Sequence, residues 1–332
     1  MNEFTQNGQE YYVHEDVLRL RERFEIRKTA KQVGLAYLLF FFMPDLLANL
    51  VNWIFSFLPG ESRPVFFLDP AGQQFYQIVA SIVVFILPFS LLTAVAKKRS
   101  GKVMSFGRPK KGTLLPYTLI GLGFCAFANV CTSTLGNLVE MFGFTFTQPE
   151  GELPEGVFGI ILVVVASAVT PALTEEFAMR GAVMGTAKIH GEGFALLVSS
   201  ILFGILHGNF VQIPFAFVVG LGVGYAVIKS GSMWAGVLIH FLNNFFSVCL
   251  DYIREGLSSL AANSMILIYF ALCFACFFVG LLLLKDKDDW KLTEPEGVLT
   301  FGNRISTFFS SPYMVISVVI TLLSSLTYVV KI

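Results

Sequence analysis

Apolar runs long enough to cross a lipid bilayer recur along nearly the whole chain, each bounded by a polar or charged segment. In hydrocarbon, backbone N–H and C=O groups must be satisfied internally, and runs of this length do so as helices. The runs fall at about 33–58, 75–96, 114–141, 157–188, 194–207, 213–228, 233–250, 265–284 and 313–330. The expected fold is therefore all-α, a polytopic membrane protein of eight or nine transmembrane helices. With 55% hydrophobic and 14% charged residues and a mean hydropathy of +0.70, the chain lies outside the range of a soluble globular domain.

Net charge is zero, yet Lys and Arg cluster, and the clusters carry topology rather than a surface for nucleic acid, which is not an expected partner. Six basic residues precede the first run and seven lie between the second and third, whereas Arg63, Arg254 and Lys331 fall on the other side. The positive-inside rule then places the N-terminus in the cytoplasm of a multi-pass protein of the cell membrane and, with nine spans, the C-terminus outside. The N-terminus is polar and charged before any apolar run, so no cleavable signal peptide is expected. All five cysteines lie in or beside apolar runs, and the CxxC spacing of Cys273 and Cys276 reads as packing.

Four regions follow. Residues 1–31 carry Val13, Val17, Leu20 and Phe24 at helical spacing among basic residues, an amphipathic cytoplasmic segment. Residues 32–155 are N-terminal transmembrane helices, the first interrupted at Pro44-Asp45. Residues 156–250 hold the polar groups described next, and residues 251–332 are C-terminal helices with a cytoplasmic linker at 285–311.

Ionisable groups in the middle of a membrane helix cost about 2.5 to 3.5 kcal/mol each on insertion scales, so they persist where they pair or work. Glu175, Glu176 and Arg180 follow directly on a run of aliphatic residues, with Pro171 expected to kink the helix just before them. His207 lies in the next run, and His240 and Asn244 lie two runs further on. Counted from the cytoplasmic ends at ~1.5 Å per residue, Glu175, His207 and Asn244 share one depth, with His240 about a turn shallower. Arg180 is four residues after Glu176, the favoured order for an ion pair on one helical face. Adjacent helical residues point about 100° apart, so Glu175 is left as the carboxylate free for chemistry.

The ordered set Glu175-Glu176-x-x-x-Arg180, Phe203-x-x-x-His207 and His240-x-x-x-Asn244 resembles the three-motif signature of the CPBP intramembrane proteases. This is the CAAX protease and bacteriocin-processing, or Abi, family, and the resemblance covers residues 156–250. It implies a helical fold around an intramembrane cavity and an endopeptidase that hydrolyses peptide bonds of membrane-associated protein or peptide substrates. By the same resemblance, Glu175 and His207 activate water, and His240 and Asn244 stabilise the oxyanion. Glu176, Arg180 and Phe203 would orient them. A competing account makes Glu175, His207, His240 and Asn244 ligands of Zn²⁺, and a metal-free mechanism is equally open. Two other readings of the buried carboxylate are a proton-coupled transporter and a catalytically inactive immunity or scaffold protein in the bilayer.

Overall fold

The computed structural model describes residues 2–6, 9–57, 69–100, 106–146, 153–285 and 290–331. Residues 2–6 and 9–13 (β1, β2) pair as an antiparallel hairpin ahead of α1, Glu15–Phe55. Then come α2 (Pro70–Ser100), α3 (Leu114–Met141), the short strand β3 (Phe144–Phe146) and α4 (Gly156–His190). They are followed by α5 (Glu192–Leu206), α6 (Gln212–Ser230), α7 (Met233–Gly256) and α8 (Ser259–Leu284). The chain ends with α9 (Phe301–Phe309), α10 (Pro312–Ser325) and β4 (Val329–Lys331), which pairs antiparallel with β3.

The protein is an all-α, polytopic membrane protein. Among the described residues seven helices are long and apolar enough to span, or eight if α9 and α10, bent by 72° at their junction, form one span. The run at 194–207 is not a full span of its own: α5 has 15 residues, about 22 Å of helix against a ~30 Å hydrocarbon core. It forms a hairpin with α6. Glu192 accepts from Thr293 N–H at 2.8 Å and Lys229 donates to Lys291 O at 3.1 Å, so the outer ends of both helices meet the same loop. Small residues let the hairpin close: a Cβ on Gly204 would fall 2.7 Å from Ile213 O, and one on Gly220 would fall 3.0 Å from Ser200 Cα.

One expectation is corrected at α1: Pro44 lies within a single 41-residue helix, which also runs across residue 31, without interrupting it. The helix is held further along: Ile26, Ala30, Val33 and Tyr37 are buried, and Tyr37 Oη donates to Leu202 O of α5. The linker at 285–311 contains α9 with its buried Phe308.

Two packing clusters meet at the centre. One joins α1, α2, α4 and α5 through Tyr37, Phe89, Met179, Phe194 and Leu202. The other joins α3, α6, α7 and α8 through Tyr117, Val223, Ile239 and Leu284.

Candidate active site

The helix that carries the glutamates is irregular on both sides of them. In α4 the residues Val165–Val169 and Phe177–Met184 are wound as π-helix, with α-helical Thr170–Glu176 between. Pro171 explains part of this, because it lacks the N–H that would bond Ser167 O in an α-helix. Ser167 O accepts from Asn244 Nδ2 of α7 at 3.0 Å. The expected proline irregularity is thus also a cross-helix attachment point for one of the site residues. Such π-wound turns widen a helix locally and recur at functional sites.

Glu176 and Arg180 form the buried pair that the spacing predicts. Arg180 Nη1 donates to Glu176 Oε1 at 2.9 Å, and each side chain is 1% exposed. The rest of the guanidinium is covered by an aromatic face, with Cζ lying 4.3 Å from the Phe203 ring centroid. Phe203 also sets its ring edge-on to both His207 and His240, so this one side chain holds the arginine and both imidazoles in place.

His240 joins the two glutamates. Its Nδ1 lies 2.9 Å from Glu176 Oε1, and its Nε2 lies 3.9 Å from Glu175 Oε2. The carboxylate that holds Arg180 accepts, so His240 Nδ1 bears hydrogen and donates a hydrogen bond to Glu176. His207, the residue that closes α5, has Nδ1 2.8 Å from Phe203 O. A carbonyl only accepts, so His207 Nδ1 also bears hydrogen, and in the neutral ring Nε2 keeps its lone pair.

Glu175, Phe203, His207, His240 and Asn244 line one cavity of about 760 Å³, whereas Glu176 and Arg180 do not. Glu175 is 14% exposed, and its Oε2 is buried without a hydrogen-bond partner. The two adjacent glutamates are therefore divided, one into the packed floor and one into the cavity. Asn244 turns both ends of its amide to use: Nδ2 reaches Ser167 O, and Oδ1 accepts from Asn243 Nδ2 at 3.0 Å.

Asn243 was not singled out in the sequence, and neither were Gln73, Gln74, Gln77 and Gln212, which share the cavity wall with Asn129 and Thr132. The glutamines near the start of the second apolar run were the available signal.

Among the described residues no three His, Cys, Asp or Glu side chains are grouped to hold a metal ion. Asn244 Oδ1, the amide oxygen such a site would use, is engaged by Asn243.

Residues 157–246 match the model of the family described as type II CAAX prenyl endopeptidase Rce1-like. The segment contains Glu175, Glu176, Arg180, Phe203, His207, His240 and Asn244, and over it the resemblance drawn from the three motifs holds. No curated protein and no solved structure matches the chain.

Proposed function

We propose that this chain is an intramembrane endopeptidase, with Glu175 as the base that activates water at the scissile peptide bond. The observation that carries the reading is the Glu175 oxygen that lacks a hydrogen-bond partner, set on a cavity wall with His207, His240 and Asn244. A buried acceptor without a partner costs roughly 1 to 3 kcal/mol, a cost that a water or substrate donor in the cavity relieves.

The chemistry follows from the hydrogen-bond inventory. Water attacks the carbonyl carbon as its proton passes to Glu175, and the carbonyl becomes an oxyanion. Asn244 has a second N–H beyond the one given to Ser167, and this serves the oxyanion. His240 contributes there only when both its nitrogens are protonated, because Nδ1 is committed to Glu176. His207 Nε2 relays the proton toward the leaving amine while Phe203 O fixes the ring. No step runs through a metal.

The substrates are membrane-associated proteins or peptides, and the protein works as a multi-pass enzyme of the cell membrane with its N-terminus in the cytoplasm. The test is cleavage of a membrane-associated peptide by purified protein. Glu175→Gln and His207→Ala should each lose about 100-fold or more in rate, the range for general acid–base groups, while eluting as folded protein. Wild-type rates in both variants would sink the assignment.

A further inference from the structure

We propose that Asn243 and Pro171 are positioning residues, which together hold the Asn244 side chain the one way round that aims its second N–H into the cavity. The proposal rests on the peptidase reading above and adds to it the two residues that orient the oxyanion donor.

A carboxamide has an oxygen end and a nitrogen end of nearly equal size, and a half-turn about its last bond exchanges them. Only one arrangement serves an oxyanion. The nitrogen must stand where its N–H reaches the developing charge, because an oxygen there would repel it. Packing does not tell the two ends apart, but hydrogen-bond partners do.

Asn244 meets one partner of each kind. Ser167 O is a carbonyl oxygen, which only accepts, and Asn244 Nδ2 donates to it at 3.0 Å. Asn243 Nδ2 only donates, and it gives a hydrogen bond to Asn244 Oδ1 at 3.0 Å. Turning the Asn244 amide over would set oxygen against oxygen at Ser167 and N–H against N–H at Asn243. Both contacts therefore select the same arrangement. In it one N–H of Nδ2 goes to Ser167 and the other serves the cavity that Asn244 lines.

The Asn243 bond is not one that regular helix geometry supplies. Side chains at neighbouring helical positions point about 100° apart and do not face each other, so Asn243 bends across its own helix to reach Asn244. It is 9% exposed and lines the same cavity.

Pro171 keeps the other partner available. In a regular α-helix the N–H of residue 171 would bond Ser167 O, and proline has no N–H to give. Ser167, Pro171 and Glu175 follow one another at four-residue intervals, and all three line the cavity. The carbonyl that orients the oxyanion donor is thus on the side of α4 that carries the base. One bond between α4 and α7 sets donor against base, and a misplacement of ~1 Å between such groups costs about 100-fold in rate.

Kinetics with a membrane-associated peptide test this, in single variants and again in an Asn244→Ala background. Asn243→Ala should lower kcat about tenfold with KM within about twofold of wild type, a smaller loss than the ~100-fold or more for removing an oxyanion donor itself. Asn243→Asp keeps the shape but puts an acceptor in place of the donor, and should lower kcat further. Pro171→Ala should lower kcat several-fold, again at unchanged KM. With Asn244 already alanine there is no amide to orient, so none of the three should change kcat by more than about twofold. Wild-type kcat in both Asn243 variants overturns the proposal. Equal losses with Asn244 present and absent also overturn it, because they would mark a general structural effect.

The bond is also read without cleavage. In thermal unfolding in detergent, the Asn243→Ala, Asn244→Ala double variant should lose less in Tm than the sum of the two singles, and additivity overturns the pairing. If wild-type protein cleaves no membrane-associated peptide, the peptidase reading fails and the oxyanion role with it, while the unfolding cycle still decides whether Asn243 holds Asn244.

Discussion

His240 Nδ1 lies 2.9 Å from Glu176 Oε1, so one imidazole from α7 is anchored on the same carboxylate oxygen that holds Arg180 of α4. The ion pair is therefore more than a local helical contact. It is the point where the two packing clusters are tied together beneath the cavity.

Removing one member of that pair leaves a buried charge uncompensated. Arg180→Ala should destabilise the protein by about 3 to 5 kcal/mol, the range for breaking a buried pair, with Glu176→Gln in the same direction. Thermal unfolding in detergent measures it. The double variant should lose less than the sum of the singles, and strict additivity would argue against the coupling.

Gly236→Ala tests the floor of the site. The new methyl would fall 2.7 Å from Glu176 Oε2, with Val227 Cγ2 and Val223 Cγ1 close behind it. Overpacking of this kind costs about 1 to 3 kcal/mol. Cleavage should fall along with stability, because displacing Glu176 also moves His240. An alanine variant with unaltered melting temperature and activity would show that the floor yields.

Glu192, at the start of α5, gives a pH signature. Partial burial pushes its carboxyl up, but hydrogen bonds from Thr293 N–H and the Lys188 ammonium outweigh burial and hold it below the ordinary value of 4.5. A depressed carboxyl stabilises the fold above its unfolded value, and that contribution is lost as pH falls through the folded value. The stability gap between wild type and Glu192→Gln should be full near pH ~7 and shrink below about pH 4.5. A gap that widens on acidification would contradict the assignment.

Chelation should leave cleavage intact, since among the described residues no three His, Cys, Asp or Glu side chains are grouped to hold a metal ion. Elemental analysis of the purified protein, paired with activity after exhaustive dialysis against a chelator, checks this. Loss of activity restored by Zn²⁺ would reinstate the metal as the source of the nucleophile.

Much of the site was legible because its logic is local. Glu176 and Arg180 meet by i, i+4 spacing, and Glu175 points elsewhere because adjacent helical residues must. The bond from His240 to Glu176 was not legible, because it joins residues 64 positions apart through the packing of two helices. Ser167 was hidden for a different reason, since its part is played by the main-chain carbonyl opposite Pro171 and side-chain chemistry gives no sign of it. In the fold, hydropathy found the apolar runs but could not say that the run at 194–207 folds as one arm of a hairpin. Hydropathy also missed that α1 continues through Pro44.

Arg304 of α9 donates from Nε to Glu22 Oε1 at 2.9 Å and from Nη1 to His190 O at 3.2 Å. It thereby clasps the first helix, the end of the helix that bears the glutamates and the last helices of the chain. Residues 22 and 304 are made far apart in time. A ribosome that has already delivered every site residue to the bilayer has not yet delivered the arginine that locks their scaffold. The contacts that join Glu22, His190 and Arg304 therefore form only after every site residue has been made.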